Sequence, residues 1–208
     1  MTVRPILTFP NNLLRKRANP VKIIDDEVKG LIKDMRDTLL EASGIGLAAN
    51  QIGVLKRIVV LNIPDQVEMS VFINPEVLHR SGRREIREGC LSFPGYSGIV
   101  NRSVSVTVRY IDEAGGKIKI TAEQLLSQAL EHEIDHLNGI LFIDHLKEHE
   151  MLSLSVPDYG THSHDLNVSV DVTEEGKGSE FNEKLYTKIK VEDLKEALSR
   201  AHILKEAE

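Results

Sequence analysis

His132-Glu133-Ile134-Asp135-His136 puts two imidazoles four residues apart with a carboxylate beside the first. If the segment is helical, both histidines lie on one face and can reach one metal ion, with Glu133 next to them to move protons. That pattern points to a metal-dependent hydrolase. A hydrolytic metal keeps one coordination position for water, so it wants three protein ligands, and the third must come from elsewhere in the chain. Cys90, the single cysteine, is the leading candidate: it sits in Glu88-Gly89-Cys90-Leu91-Ser92, between a glycine and the turn signal Pro94-Gly95. Without the histidine motif a lone cysteine would read as a buried small hydrophobe; beside it, the ligand reading is preferred. His79, His145 and His149 compete for the third position, but Asp144-His145-Leu146-Lys147-Glu148-His149 has the composition of a charged surface at a helix edge. His162 and His164 fall in a turn-rich stretch of the sequence and are expected to face solvent.

A further cluster is Gly44-Ile45-Gly46-Leu47-Ala48-Ala49-Asn50-Gln51. It follows a helical pattern rather than a strand and has no Gly-Lys after it, which argues against a nucleotide loop. The neutral amide of Gln51 is suited to donate a hydrogen bond to a developing oxyanion without competing for the metal. Taken alone, the segment reads as readily as a glycine helix stop followed by a polar turn.

These residues need elements to hold them. Val28, Leu31, Ile32, Met35 and Leu39 recur at the spacing of an amphipathic helix over 25–40, with Asp25 and Asp26 at its start, where acids favour the helix dipole. Short β-branched runs predict strands at 57–61, 69–73, 76–79, 104–109 and 117–121, with turns at Pro64, Asn74-Pro75, Ser81-Gly82, Pro94-Gly95 and Ala114-Gly115-Gly116. Thr121-Ala122-Glu123-Gln124 has a capping-box pattern, and Leu126, Leu130, Glu133 and Leu137 follow at helical spacing up to Gly139, so a second, largely buried helix carries the histidines. The expected fold is α+β: mainly antiparallel sheets packed around a central metal-binding helix. That domain spans residues 1–150. Residues 151–208 read as an extension of strands, one from the alternation Leu166-Val168-Val170-Val172 and one near 185–191, plus a terminal helix.

The chain has 26 Lys+Arg against 32 Asp+Glu, and the extension alone holds 7 against 12. This balance argues against direct DNA binding and against an anionic membrane surface. No apolar run approaches the roughly 20 residues of a membrane span, and the start lacks a leader pattern, so a cytoplasmic protein is expected.

Three segments stand in one order: GIGLAANQ at 44–51, EGCLS at 88–92 and QALEHEIDHLNG at 128–139. Together they resemble the signature motifs of peptide deformylases, which remove the N-formyl group from new polypeptides; the compact spacing is similar to the type 1 branch. The resemblance covers about the first 150 residues. It implies that Cys90, His132 and His136 ligate the metal, that Glu133 handles protons, and that Gln51 through its amide and Leu91 through its backbone N–H hold the oxyanion. It also places Gly46 beside the substrate backbone, and Ile45, Phe93, Leu125 and Ala129 around the pocket for the first methionine. Glu88 and Arg102 become a supporting pair that holds Gln51 and the metal loop. Iron(II) is the implied working metal, with zinc, nickel or cobalt acceptable in purified protein. The implied partners are an N-formyl-methionyl peptide and, transiently, the ribosome, although the acidic extension disfavours docking on phosphate. One departure stands out: relatives often carry a substrate-contacting arginine between EGCLS and Arg102, and Phe93–Asn101 has no basic residue here. A zinc endopeptidase, which shares His-Glu-x-x-His, and a module in which the metal is only a staple are the competing readings. Cys90 in its loop speaks against the first, and Glu133 with Gln51 against the second.

Overall fold

The computed structural model describes residues 2–64 and 68–146, together with the backbones of two later strands, Met151–Ser155 and Tyr186–Lys190. Asp25 starts the first helix, α1 (Asp26–Glu41): its carboxylate accepts from the Val28 N–H at 2.9 Å, satisfying one of the free donors of the first turn. After Ser43 the chain enters β1 (Gly46–Ala48) and a one-turn 3-10 helix, Ala49–Ile52, which carries Gln51. β2 (Ile58–Leu61) follows.

β3 (Ser70–Ser81) corrects one expectation. Two strands with a turn at Asn74-Pro75 were predicted, but the chain runs through as one strand with a register shift between Ile73 and Glu76. Asn74 takes a positive φ of 51°, and its side-chain amide bonds the Val21 backbone in both directions, at 2.8 and 2.7 Å. The polar pair therefore makes a bulge rather than a reversal.

β4 (Arg84–Cys90) and β5 (Phe93–Arg102) form a hairpin that the sequence did not announce, because its residues are charged or glycine-rich rather than β-branched. Its reversal lies at Leu91-Ser92; the predicted turn at Pro94-Gly95 sits inside β5, where Gly95 adopts φ 79°. β6 (Ser105–Ile111) and β7 (Lys117–Glu123) pair in the expected order. The second helix, α2, covers Gln124–Leu137. The predicted capping box does not form: Thr121 belongs to β7, Glu123 is the N-cap, and Ser127 Oγ instead donates to the Gln124 carbonyl at 2.8 Å. Gly139 ends the helix as expected, at φ 75°.

β1, β2, β3, β6 and β7 make a five-stranded antiparallel sheet in the order β1-β2-β3-β6-β7. Alternation along β2 sends Ile58 and Val60 to the face covered by α1, where they meet Ile32, Met35 and Leu39. Val59 and Leu61 face the other way, onto Leu130, Ile134 and Leu137 of α2. Behind α2 lies the second sheet, β4-β5 joined by β8 (Met151–Ser155) and β9 (Tyr186–Lys190). A third apolar cluster ties that hairpin to the N-terminal segment and to the turn after α2 through Leu14, Phe93, Val100 and Phe142. The histidine helix thus lies between two sheets, and from Ala129 to Leu137 every residue is buried. The strand expected near 185–191 is β9, and β8 pairs with β5 at Tyr96 and Ser97, so the extension adds to the second sheet. The alternation at 166–172, the terminal helix, His149, His162 and His164 lie outside the described residues. Among the described residues no helix is long and apolar enough to cross a membrane.

Candidate metal centre

α2 turns His132 and His136 toward the end of β4, where the hairpin reversal presents Cys90. The Cys90 Sγ and one nitrogen from each histidine all lie within 4.8 Å of one another, and Sγ is 3.2 Å from His136 Nε2. Ligands held at 2.0–2.3 Å around a tetrahedral ion stand roughly 3.5 Å apart. The donor set therefore fits a divalent ion, with a thiol and two imidazoles converging and room for a fourth ligand on the cleft side. Two buried polar atoms at the centre, Glu133 Oε2 and His136 Nδ1, have no hydrogen-bond partner among the described residues.

His132 Nδ1 donates to Glu88 Oε1 at 2.5 Å, which leaves Nε2 as the atom free for a metal. Glu88 is in turn gripped by Arg102 through Nε at 3.0 Å and Nη2 at 2.7 Å. Against the opposing effect of burial, the hydrogen bonds from His132 and Arg102 hold the Glu88 carboxyl down at about 2, so it is ionised at neutral pH. The expected Glu88–Arg102 pair is present, but it holds His132 rather than Gln51. Gln51 is placed by other contacts: its Oε1 accepts from the Ala48 N–H at 2.8 Å, and its Nε2 donates to Ser92 Oγ at 3.2 Å and faces Cys90 Sγ at 3.7 Å. Ser92 carried no signal in the sequence beyond its place in EGCLS.

Glu133 is 3% exposed. Burial pushes its carboxyl up to about 7, with the His132 imidazole pulling the other way. Gly46 lies directly against it: a Cβ on Gly46 would overlap the Glu133 carboxylate. The missing side chain is thus space for this chain's own glutamate, in addition to the close substrate approach implied earlier.

A cleft of about 540 Å³ opens over the centre. Ile45, Gly46, Gln51, Glu88, Cys90, Leu91, Phe93, Leu125, Ala129, His132 and Glu133 all line it, whereas His136 and Arg102 lie behind. Gln128, Tyr96 and Ser97 also line it, unforeseen. The helical spacing of Leu125, Gln128, Ala129 and His132 would have found Gln128; Tyr96 and Ser97 required the hairpin. Of the competing histidines, His79 is exposed on β3. His145 corrects the expectation of a charged surface: it is one-third exposed and bonds Asp135, away from the ligand cluster.

The sequence model of the polypeptide deformylase family matches residues 3–151. A peptide deformylase of Dehalococcoides mccartyi is 44% identical over 158 residues, covering 76% of this chain and 95% of that protein. One from Rhizobium meliloti is 45% identical over 152 residues, covering 71% and 87%. Among solved structures, a peptide deformylase from Legionella pneumophila superposes with a TM-score of 0.68 at 47% identity, covering 70% of this chain and 87% of that one. A peptide deformylase from Synechococcus elongatus in complex with actinonin gives 0.68 at 37% identity, covering 70% and 82%. The family match runs through the helix, the hairpin and the glycine segment that build the cysteine-histidine cluster, and the chain belongs to the polypeptide deformylase family.

Proposed function

We propose that this chain hydrolyses the N-formyl group of formyl-methionyl polypeptides, releasing formate and a free amino terminus. The observation that carries the reading is the convergence of Cys90, His132 and His136 at the base of a cleft, beside a buried glutamate with an unpaired oxygen. Cys90, His132 and His136 would hold the ion, which when bound acidifies a water and polarises the formyl oxygen. Glu133 takes the proton from the attacking water through Oε2 and passes it to the leaving amine; its raised pKa suits a group that must both accept and release a proton near neutrality. Gln51 Nε2 and the Leu91 N–H donate to the oxyanion as the formyl carbon becomes tetrahedral. Gln51 is held by Ala48 and Ser92, so it need not reorganise during the reaction. Ile45, Phe93, Leu125 and Ala129 enclose the methionine side chain, and Gly46 lets both Glu133 and the substrate backbone come close. Glu88 and Arg102 keep His132 in one tautomer.

The thiolate favours a soft or borderline ion, and iron(II) is the proposed working metal; zinc, nickel or cobalt can replace it in purified protein. Residues 1–150 carry the reaction, and 151–208 are an appended segment. A nascent-chain substrate supports a cytoplasmic protein in transient contact with the ribosome as the proposed setting. The test is formate release from a formyl-methionyl peptide by anaerobically purified protein, run beside metal analysis. Stoichiometric formate that disappears on chelation and returns with iron(II) or nickel is the expected result. Cleavage of internal bonds in an unformylated peptide at a greater rate would overturn the reading.

A further inference from the structure

We propose that His145, outside the cleft, is a positioning residue for the metal ligand His132. The inference rests on the metal assignment above and extends it by one residue that neither contacts the ion nor lines the pocket.

A continuous chain of hydrogen bonds connects the two histidines. His145 Nε2 donates to Asp135 Oδ2 at 2.7 Å. Arg102 Nη1 donates to the same Asp135 oxygen at 2.6 Å. The other edge of the Arg102 guanidinium grips both oxygens of Glu88, and Glu88 Oε1 receives the His132 Nδ1 proton at 2.5 Å. The inner members are almost fully buried: Arg102 and Glu88 are 3% exposed and Asp135 11%, while His145 is 33% exposed.

The geometry makes His145 more than a surface pairing. Arg102 is planar and bridges two carboxylates, so its orientation toward Glu88 is set in part by where Asp135 Oδ2 sits. That oxygen is located by two donors, Arg102 and His145. Removing the second leaves Asp135 held by Arg102 alone, and the guanidinium free to follow the carboxylate rather than fix it. The loosening is passed to Glu88 and so to the imidazole whose other nitrogen faces the metal. His145 is itself well anchored. It ends a 3-10 helix, Phe142–His145, whose first two residues are buried. Asp144 in the same turn pairs with Arg15 and accepts from the Leu141 N–H at 2.9 Å.

The test is cobalt(II) binding by chelator competition, with the visible spectrum of the loaded protein as a second readout. H145F removes the donor and keeps a ring; H145Q keeps an N–H donor on a different frame. H145F is expected to weaken cobalt(II) binding by roughly threefold to tenfold, below the 10–100-fold typical of a direct partner of a ligand, and to shift the cobalt spectrum. H145Q should recover most of the affinity. In a D135A background, which removes the acceptor that His145 and Arg102 share, H145F should have no further effect, because the link runs through Asp135. If H145F fails to fold, H145A and H145Q make the same comparison. Equal affinity and an identical spectrum in H145F, or an H145Q protein as weak as H145F, would overturn the proposal. Failure of the parent protein to bind cobalt(II) at all would instead overturn the metal assignment.

Discussion

Glu133 and Gly46 show how closely residues at this site depend on one another. The glycine leaves the space that the glutamate carboxylate fills, so G46A should push that carboxylate aside without touching a metal ligand. A displacement of about 1 Å at a reacting group costs about a hundredfold in rate, and kcat should fall by that order while metal content stays at one per chain. An unchanged kcat would show that the carboxylate has room to spare. E133A should likewise keep its metal and lose about 10²–10⁴ of turnover, the usual contribution of a positioned proton-transfer group, measured by formate release. C90S acts on the other half of the site: a hydroxyl is a poor ligand near neutral pH, so metal should be lost to a chelator that leaves the parent loaded. The two histidines and the glutamate could be read together because spacing on a helix is a local property; Cys90, at the end of β4, could be joined to them only by the need for a third ligand. Asp135 and His145 were not, because what matters about them is a contact across a turn, and His145 read as part of a charged run until the fold brought it to Asp135.

At the level of elements, α1, α2 and the β-branched strands of the five-stranded sheet could be read from apolar periodicity, since each buries one face against a neighbour. The hairpin β4-β5 could not. Arg84, Glu85, Arg87 and Glu88 lack the composition of a strand, and they pair because β5 lies beside them and because Glu88 turns inward to Arg102 and His132. Asn74 is the clearest case of local chemistry misleading in type: Asn-Pro signals a turn, but here the amide ties the strand to Val21 from within a bulge. N74A would lose both of those bonds and leave an alanine at φ 51°. Each bond contributes about 1 kcal/mol, so urea denaturation should show a loss of about 2–3 kcal/mol with the m-value unchanged. A loss below about 0.5 kcal/mol would mean that the bulge is held by its neighbours alone.

For the whole molecule, the question is what residues 151–208 add. The five-stranded sheet is closed on both faces by α1 and α2, the metal cluster is complete by residue 136, and the family match ends at residue 151. Relatives that this chain covers over 95% and 87% of their length align to only 76% and 71% of it. Yet β8 pairs with β5 at Tyr96 and Ser97, two residues that line the cleft. A chain ending after residue 150 should therefore fold, bind its metal and keep kcat within about threefold, since no reacting group is touched. Two other properties should change. KM for formyl-methionyl peptides should rise, because the β5 backbone at the cleft mouth loses a strand that fixes it. The uncovered β5 edge should also promote self-association at high protein concentration, because unpaired strand N–H and C=O groups are a template for another chain. Steady-state kinetics and sedimentation on the truncated and full chains separate these effects. Loss of kcat with KM unchanged would place the extension in the chemistry rather than at the mouth of the cleft, and the division at residue 150 would then have to be redrawn.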